Sequence, residues 1–168
     1  MLFRSEADAF SGTLRRALEA TDIAAVLLRL APAGERELIN RIKRLAPIVQ
    51  SSGAALVLDG HAELVTRAGA DGSHLRGIEA FTGAIENLKP ERIAGCGGLT
   101  TRHDAIVAAE GNADYLMFGD PDDAGLRPAY ASIIARIEWC SELITTPCAG
   151  SAATLDQIAP LVAAGADF

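Results

Sequence analysis

A chain of 168 residues with a formal charge of −7 can bury a core in one domain and is too acidic to grip nucleic acid non-specifically. It is 49% hydrophobic but only 5% aromatic, so Ala, Leu, Ile and Val must fill the interior, a palette that suits parallel strands under Ala-rich helices. No apolar run approaches the ~18–20 residues of a membrane span, and MLFRSEADAF lacks the apolar centre of a signal peptide. Cys96, Cys140 and Cys148 are odd in number and lack metal-type spacing, so free buried thiols in a reducing cytoplasm are expected.

In chain order, residues 8–20 put Phe10, Leu14, Ala17 and Leu18 on one helical face. The continuous apolar run 24–30 predicts a buried strand. Pro32 and Gly34 break the chain, and Leu38, Ile39, Ile42, Leu45 and Val49 mark an amphipathic helix ending near Gly53. A strand over 54–59 ends on Asp59. A helix over 61–69, a brief strand over 72–75, a helix over 77–88 and a strand over 92–96 follow. Thr100 or Thr101 can cap a helix running to Glu110. A strand over 113–118, a loop over 119–128 rich in Asp, Gly and Pro, a helix over 129–142, a strand over 143–149 and a helix over 154–164 complete the series.

One phrase recurs at the helix ends: Ala68-Gly69-Ala70-Asp71, Gly111-Asn112-Ala113-Asp114 and Ala164-Gly165-Ala166-Asp167. A Gly there supplies the left-handed turn that closes a helix, and a short polar residue leads into the next strand. Strands strictly alternating with helices mean parallel βα units with right-handed crossovers. A doubly wound sheet and an eight-fold barrel both fit. The short strands with polar or Gly-rich tips lean toward the barrel.

In either architecture chemistry gathers at the carboxyl ends of the strands. Those ends carry Arg29, Asp59, His74 with Arg76 and Glu79, the loop from Cys96 through Gly97 and Gly98 to Thr101, the loop from Gly119 to Asp123, and Gly150 with Ser151. Carboxylates, arginines and two Gly/Ser/Thr loops suit a phosphorylated ligand and a hard cation such as Mg²⁺. Each element also has a plainer reading. Arg29 can pair with a carboxylate, Asp59 can cap the helix near His61, and His74 can be a hydrogen-bonded structural residue. Gly97-Gly98 can serve the turn alone, and Asp120, Asp122 and Asp123 read as solvated turn formers.

At this point the sequence resembles the thiamine phosphate synthase family, with its thiazole tautomerase branch. Val26-Leu27-Leu28-Arg29 with Gly34-Glu35-Arg36-Glu37-Leu38 is similar to that family's V-Q-L-R-x-K and S-E-R-E-L segment, and Leu56-Val57-Leu58-Asp59 to its I-I-N-D strand. The stretch Ala68 to Leu75 resembles A-G-A-D-G-V-H-L, the most specific piece. Gly111 to Gly119 resembles G-A-D-Y-I-G-x-G-P, and Ala153 to Asp167 resembles the last-but-one helix and its joint. The resemblance implies a (βα)₈ barrel that joins hydroxymethylpyrimidine diphosphate to thiazole phosphate and releases diphosphate with the help of Mg²⁺.

Carried over by position, the resemblance gives Arg29 the diphosphate and Asp59 the metal, with Glu79 near the second metal carboxylate. The 95–101 loop, with Gly97, Gly98, Thr100 and Thr101, corresponds to the diphosphate loop. Arg127 lies where a lysine contacts the leaving group, and Gly150 with Ser151 stands at the thiazole-phosphate loop. Leu27 and Ala31 replace a Gln and a Lys, Leu58 an Asn, and Gly60 an Arg. Fewer polar groups would then stabilise the leaving diphosphate, by several kcal/mol. Two alternatives therefore accompany the transferase: a catalytically degenerate barrel that binds a phosphorylated thiazole- or thiamine-type metabolite, and a tautomerase-like enzyme with His74 or His103 as base.

The resemblance further implies one domain over 1–168 that is a fragment, with a first and a last strand missing. Residues 1–5 are expected to be non-native, because Leu2-Phe3-Arg4-Ser5 resembles translated sequencing-adapter sequence. A shortened domain that covers an open sheet edge as a homo-oligomer is the other reading. The expected partners are small phosphorylated substrates, with no nucleic acid and no membrane.

Overall fold

The computed structural model describes residues 2–122 and 124–168, with the backbone alone for 2–9. The chain forms two compact units, Met1–Ser73 and His74–Phe168, divided within the third strand. The first contains α1 (Leu2–Ala20), β1 (Ala25–Leu28), α2 (Glu35–Gln50), β2 (Ala55–Asp59), α3 (Val65–Ala68) and the start of β3 (Gly72–Arg76). β1 runs parallel to β2 with Leu28 opposite Leu58. The core of this unit joins Ile42, Leu45 and Val49 of α2 to Leu56, Val57 and Leu58 of β2, with Leu64 and Val65. Burying each of these aliphatic side chains contributes about 1.5–3 kcal/mol.

Two boundaries here differ from the sequence reading. α1 begins at Leu2 rather than near residue 8, and of its apolar face Leu18 is buried while Phe10 is 50% exposed. The helix expected over 61–69 is a 3₁₀ turn (Ala62–Leu64) followed by the four-residue α3. Gly60 and His61 both sit at positive φ (74° and 54°), so the chain is still turning where the apolar pattern suggests helix.

The second unit holds the rest of β3, then α4 (Ile78–Leu88), β4 (Ile93–Gly97), α5 (Arg102–Glu110), β5 (Tyr115–Phe118), α6 (Tyr130–Leu143), β6 (Cys148–Gly150) and α7 (Ile158–Ala163). β4 pairs parallel with β5, and β5 with β6, placing Cys96 opposite Leu116 and Phe118 opposite Gly150. Phe81, Leu116, Phe118, Ile133, Ile137 and Leu161 form its core. The strand expected over 143–149 shrinks to three residues because Leu143 is the end of α6 and Pro147 has no N–H to give to a ladder. No helix among the described residues is long and apolar enough to cross a membrane.

Of the three thiols expected to be free, only Cys96 is free and buried. Cys140 and Cys148 form a disulfide, with Cα atoms 6.8 Å apart. The tight connection from α6 into β6 brings these two residues face to face, a closeness that their spacing in sequence does not reveal.

The recurring helix–strand joint proves to be a reciprocal clamp. Asp71 N–H donates to Leu56 O while its carboxylate accepts from Leu56 N–H at 2.7 Å. Asp114 makes the same pair with Ala94, and Asp167 with Cys148. Asp71 and Asp114 thus tie the entry of their own strand to the entry of the strand before it, and Asp167 ties the end of the chain to the entry of β6. Hydrogen bonds to a charged acceptor contribute about 1.5–3 kcal/mol each. The left-handed residue of the joint is Gly69, Asn112 or Gly165 (φ 76°, 66° and 101°), so in the middle copy Asn112 turns the chain rather than Gly111. Gly111 serves packing instead, since a Cβ there would lie 3.1 Å from Phe81 Cε1.

Candidate functional site

In the first unit β2 ends on Asp59, whose side chain is only 8% exposed, and the Arg29 Nε donates to its Oδ2 at 2.5 Å. The Arg29 side chain is 54% exposed. The residue at the cap position of the turn that follows is His61 rather than Asp59. The plainer expectation for Arg29, an ion pair, is thus what the fold makes, and it makes it with the residue assigned to the metal.

The second unit gathers the tips of β3, β4 and β5 around a cavity of about 520 Å³. Its wall includes Arg76, Gly98, Thr100, Asp120, Arg127 and Arg136. Beneath it the backbone is crowded. A Cβ on Gly95 would strike the Tyr115 ring at 2.0 Å, and one on Gly97 would lie 2.5 Å from His74 Nε2 and 3.0 Å from Asp120 Oδ2. Glycine at 97 therefore lets a histidine and a carboxylate meet under the β4–α5 loop.

His74 is fully buried, stacked on Tyr115 with ring centroids 5.7 Å apart, and its Nδ1 lies 3.0 Å from the Tyr115 hydroxyl. That is the structural role expected of it. Its Nε2 has no hydrogen-bond partner and faces Asp120 Oδ2 at 3.7 Å. Asp120 Oδ1 accepts the Gly98 N–H at 3.2 Å. Burial pushes the Asp120 carboxyl up, but the neighbouring His74 ring, the Gly98 N–H and the charge of Arg76 hold it below the ordinary carboxylate range. Nearby, burial and the charges of Asp120 and Asp104 push the Cys96 thiol up to about 12, so it stays protonated and inert.

Thr101 caps α5 in a full capping box. Its hydroxyl accepts from Asp104 N–H, and the Asp104 carboxylate accepts from Thr101 N–H and from the Thr100 hydroxyl. These bonds, the Thr101 side-chain bond first, hold Asp104 below the ordinary carboxylate range. Both threonines named from sequence are therefore committed to the helix start, with Thr100 also on the cavity wall.

Arg127 Nη1 donates to Gly119 O at 2.9 Å and to the Ser151 hydroxyl at 2.8 Å, which brings these two predicted site residues together. Gly150 packs instead against Ile137 and Leu161. Glu79 lies in the first turn of α4 with its side chain exposed. Arg76 Nη1 donates to Pro121 O at 2.7 Å. His103 is an exposed helix residue.

Sequence reasoning missed two wall residues. Asp120, read as a solvated turn former, has a side chain only 8% exposed and knits two loops. Its signal was its place directly after Gly119 at a strand end. Asp122 fits the turn reading, accepting from Ala124 and Leu126 N–H, and Asp123 lies outside the described residues. Arg136 of α6 donates to Leu99 O and to Thr100 O (the latter at 2.8 Å), bracing the β4–α5 loop. Nothing in the sequence singles it out.

Comparisons with known proteins place the chain in a family. The sequence model described as thiamine monophosphate synthase matches residues 3–168. The chain is 34% identical to a thiamine-phosphate synthase of Rhodospirillum centenum, over 95% of this chain and 79% of that protein. It is 32% identical to one of Hyphomonas neptunium, over 97% and 77%. A solved thiamine phosphate pyrophosphorylase from Pyrococcus furiosus superposes with a TM-score of 0.76 at 24% identity, covering 94% of this chain and 76% of that one. That likeness shows the fold, and the expected class of parallel strands alternating with helices in a TIM-like arrangement is the observed one. On this evidence the chain belongs to the thiamine monophosphate synthase family.

Proposed function

We propose that the chain is a thiamine-phosphate synthase, a transferase of thiamine biosynthesis that joins hydroxymethylpyrimidine diphosphate to thiazole phosphate. The bond from the pyrimidine's benzylic-type carbon to the diphosphate oxygen breaks and its electron pair leaves with diphosphate. The thiazole nitrogen supplies the pair for the new C–N bond. Such a displacement needs charge neutralisation on the leaving oxygens more than it needs a base. The observation that carries this reading is the family match over residues 3–168.

The roles follow the sequence assignments. Arg29 is assigned to diphosphate, Gly97, Gly98, Thr100 and Thr101 to the diphosphate loop, and Arg127 to the leaving group. Gly150 and Ser151 stand at the thiazole phosphate. Asp59 and Glu79 are assigned as carboxylate ligands of Mg²⁺. The donor chemistry fits that ion, because Mg²⁺ is commonly held by one or two carboxylates together with substrate phosphates. Asp59 also offers its oxygens beside a guanidinium that itself suits phosphate. When bound, the ion would neutralise charge on the diphosphate. A cytoplasmic setting suits phosphorylated substrates that do not cross membranes unaided, and the Cys140–Cys148 bond is the one feature at odds with a reducing compartment.

The test is turnover of the chain with both substrates and Mg²⁺, beside Asp59→Ala. Thiamine phosphate formed by the wild type and lost in the variant is the expected result. Substrate binding with no product from the wild type would sink the synthase reading and favour the degenerate binder. One observation leans that way: the Gly98 N–H of the diphosphate loop is already taken by Asp120.

A further inference from the structure

The β4–α5 loop ends a parallel strand and opens α5, the kind of place where backbone N–H groups meet phosphate oxygens. Here two carboxylates already sit on its donors. Asp104 takes the Thr101 N–H and the Thr100 hydroxyl, which is ordinary helix capping. Asp120 is different, since it comes from another loop, after β5, and reaches back to the Gly98 N–H at 3.2 Å. Its second oxygen faces the buried, unpartnered Nε2 of His74 at 3.7 Å, and it lines the cavity.

Gly98 N–H and His74 Nε2 thus face one carboxylate as they would face an anion, with Arg76 on the same cavity wall. Gly97 keeps this seat open, because a Cβ there would enter the gap between His74 and Asp120. We propose that Asp120 is an internal anion occupying this seat, and that it sets how tightly the site holds a diphosphate. The inference rests on reading the Gly97–Thr101 loop as the diphosphate loop. An incoming diphosphate oxygen must take the Gly98 N–H from the Asp120 carboxylate and meets its negative charge as well. Asp120 therefore weakens the binding of diphosphate both as part of the substrate and as the product.

Inorganic pyrophosphate is the probe. It is titrated calorimetrically into the wild type, Asp120→Asn, Asp120→Glu and Asp122→Asn, each checked for folding by circular dichroism. Asp120→Asn is expected to bind at least tenfold tighter than the wild type. Asp120→Glu, which keeps the charge, should gain nothing. Asp122→Asn, which removes a charge on the same wall outside the seat, should change affinity less than twofold. An equal gain in Asp120→Asn and Asp122→Asn would reduce the effect to the general field and overturn the proposal.

Equal affinity of the wild type and Asp120→Asn would overturn it while leaving the loop reading intact. No binding by any form would overturn both. Should Asp120→Asn fail to fold, the wild type alone decides by NMR. Pyrophosphate must then move the Gly98 amide resonance among the largest shifts, and a Gly98 amide that stays put while others move defeats the proposal.

Discussion

The two units hold their arginines in opposite ways. In Met1–Ser73, Arg29 is paired directly with the Asp59 carboxylate. In His74–Phe168, the hydrogen bonds of Arg127 and Arg136 run to the carbonyl and hydroxyl oxygens of Gly119, Ser151, Leu99 and Thr100. A guanidinium on a carboxylate is neutralised at rest and must be pried off by a ligand. One anchored on neutral oxygens is fixed in direction and keeps its charge. Near a protein surface a unit charge 4 Å away is worth about 4 kcal/mol, so the second arrangement offers an anion a standing field. In that unit Asp120 opposes this field, with Asp122 on the same wall.

The sharpest way to break the comparison is Asp59→Ala. If the Arg29 pair were only structural, losing it would alter stability by about 1 kcal/mol, since its Arg29 side is 54% exposed, and turnover would survive. The expected result is the reverse: thermal stability nearly unchanged, with kcat down at least ~100-fold, about 2.7 kcal/mol. Assay and melting curve on the same preparation decide it.

Next in size is Arg127→Met, which removes the standing charge but keeps much of the stem. A fall in kcat/KM of about 10–100-fold is expected, corresponding to about 1.4–2.7 kcal/mol. Salt should also matter less to the variant, because a screened charge has been deleted. An Arg127→Met enzyme with wild-type salt dependence would mean that its charge is not felt by the substrate.

How much of this could be read beforehand depends on the range of the forces involved. The strands β1, β2, β4 and β5 were legible in place as short apolar runs, although β1, read as a buried strand, buries only Leu28 and leaves Leu27 exposed, and Thr101 was legible as a cap because capping is local chemistry. α3 and β6 were mis-sized because backbone turns at Gly60–His61 and the missing N–H of Pro147 override apolar pattern. Asp120 was misread because its surroundings in sequence are turn residues, while the His74 and Gly98 that bury it lie 46 and 22 positions away (120 − 74 and 120 − 98). Arg136 carries no local signal, since its partners belong to another loop. The Cys140–Cys148 bond likewise depends on where α6 delivers the chain.

The clamps allow the two units to be compared directly. Asp71→Ala removes a carboxylate that binds Leu56 N–H and the Gln50 amide, and Asp114→Ala one that binds Ala94 N–H and the Lys89 ammonium at 2.5 Å. Each should lower stability by about 1–3 kcal/mol in denaturant titration. Shifts of a single shared transition would mean that the units unfold together. If each variant moves its own transition and leaves the other in place, the units are separately stable.

The smallest effect expected is on the acid limb. The Asp120 carboxyl is held below its ordinary value in the folded protein despite burial that raises it. A carboxyl depressed on folding adds stability that is fully present above its unfolded value, near 3.8, and is lost as pH falls through the lower folded value. Asp120→Asn removes this contribution, so the wild type should melt higher by a constant margin above about pH 4, with the margin closing as the pH is lowered further. Both proteins share every other carboxylate, so the difference between their curves isolates Asp120. A margin that stays constant down to pH 2 would mean that the carboxylate charge gains nothing from His74, Gly98 and Arg76, and that the seat beneath the loop holds Asp120 by shape alone.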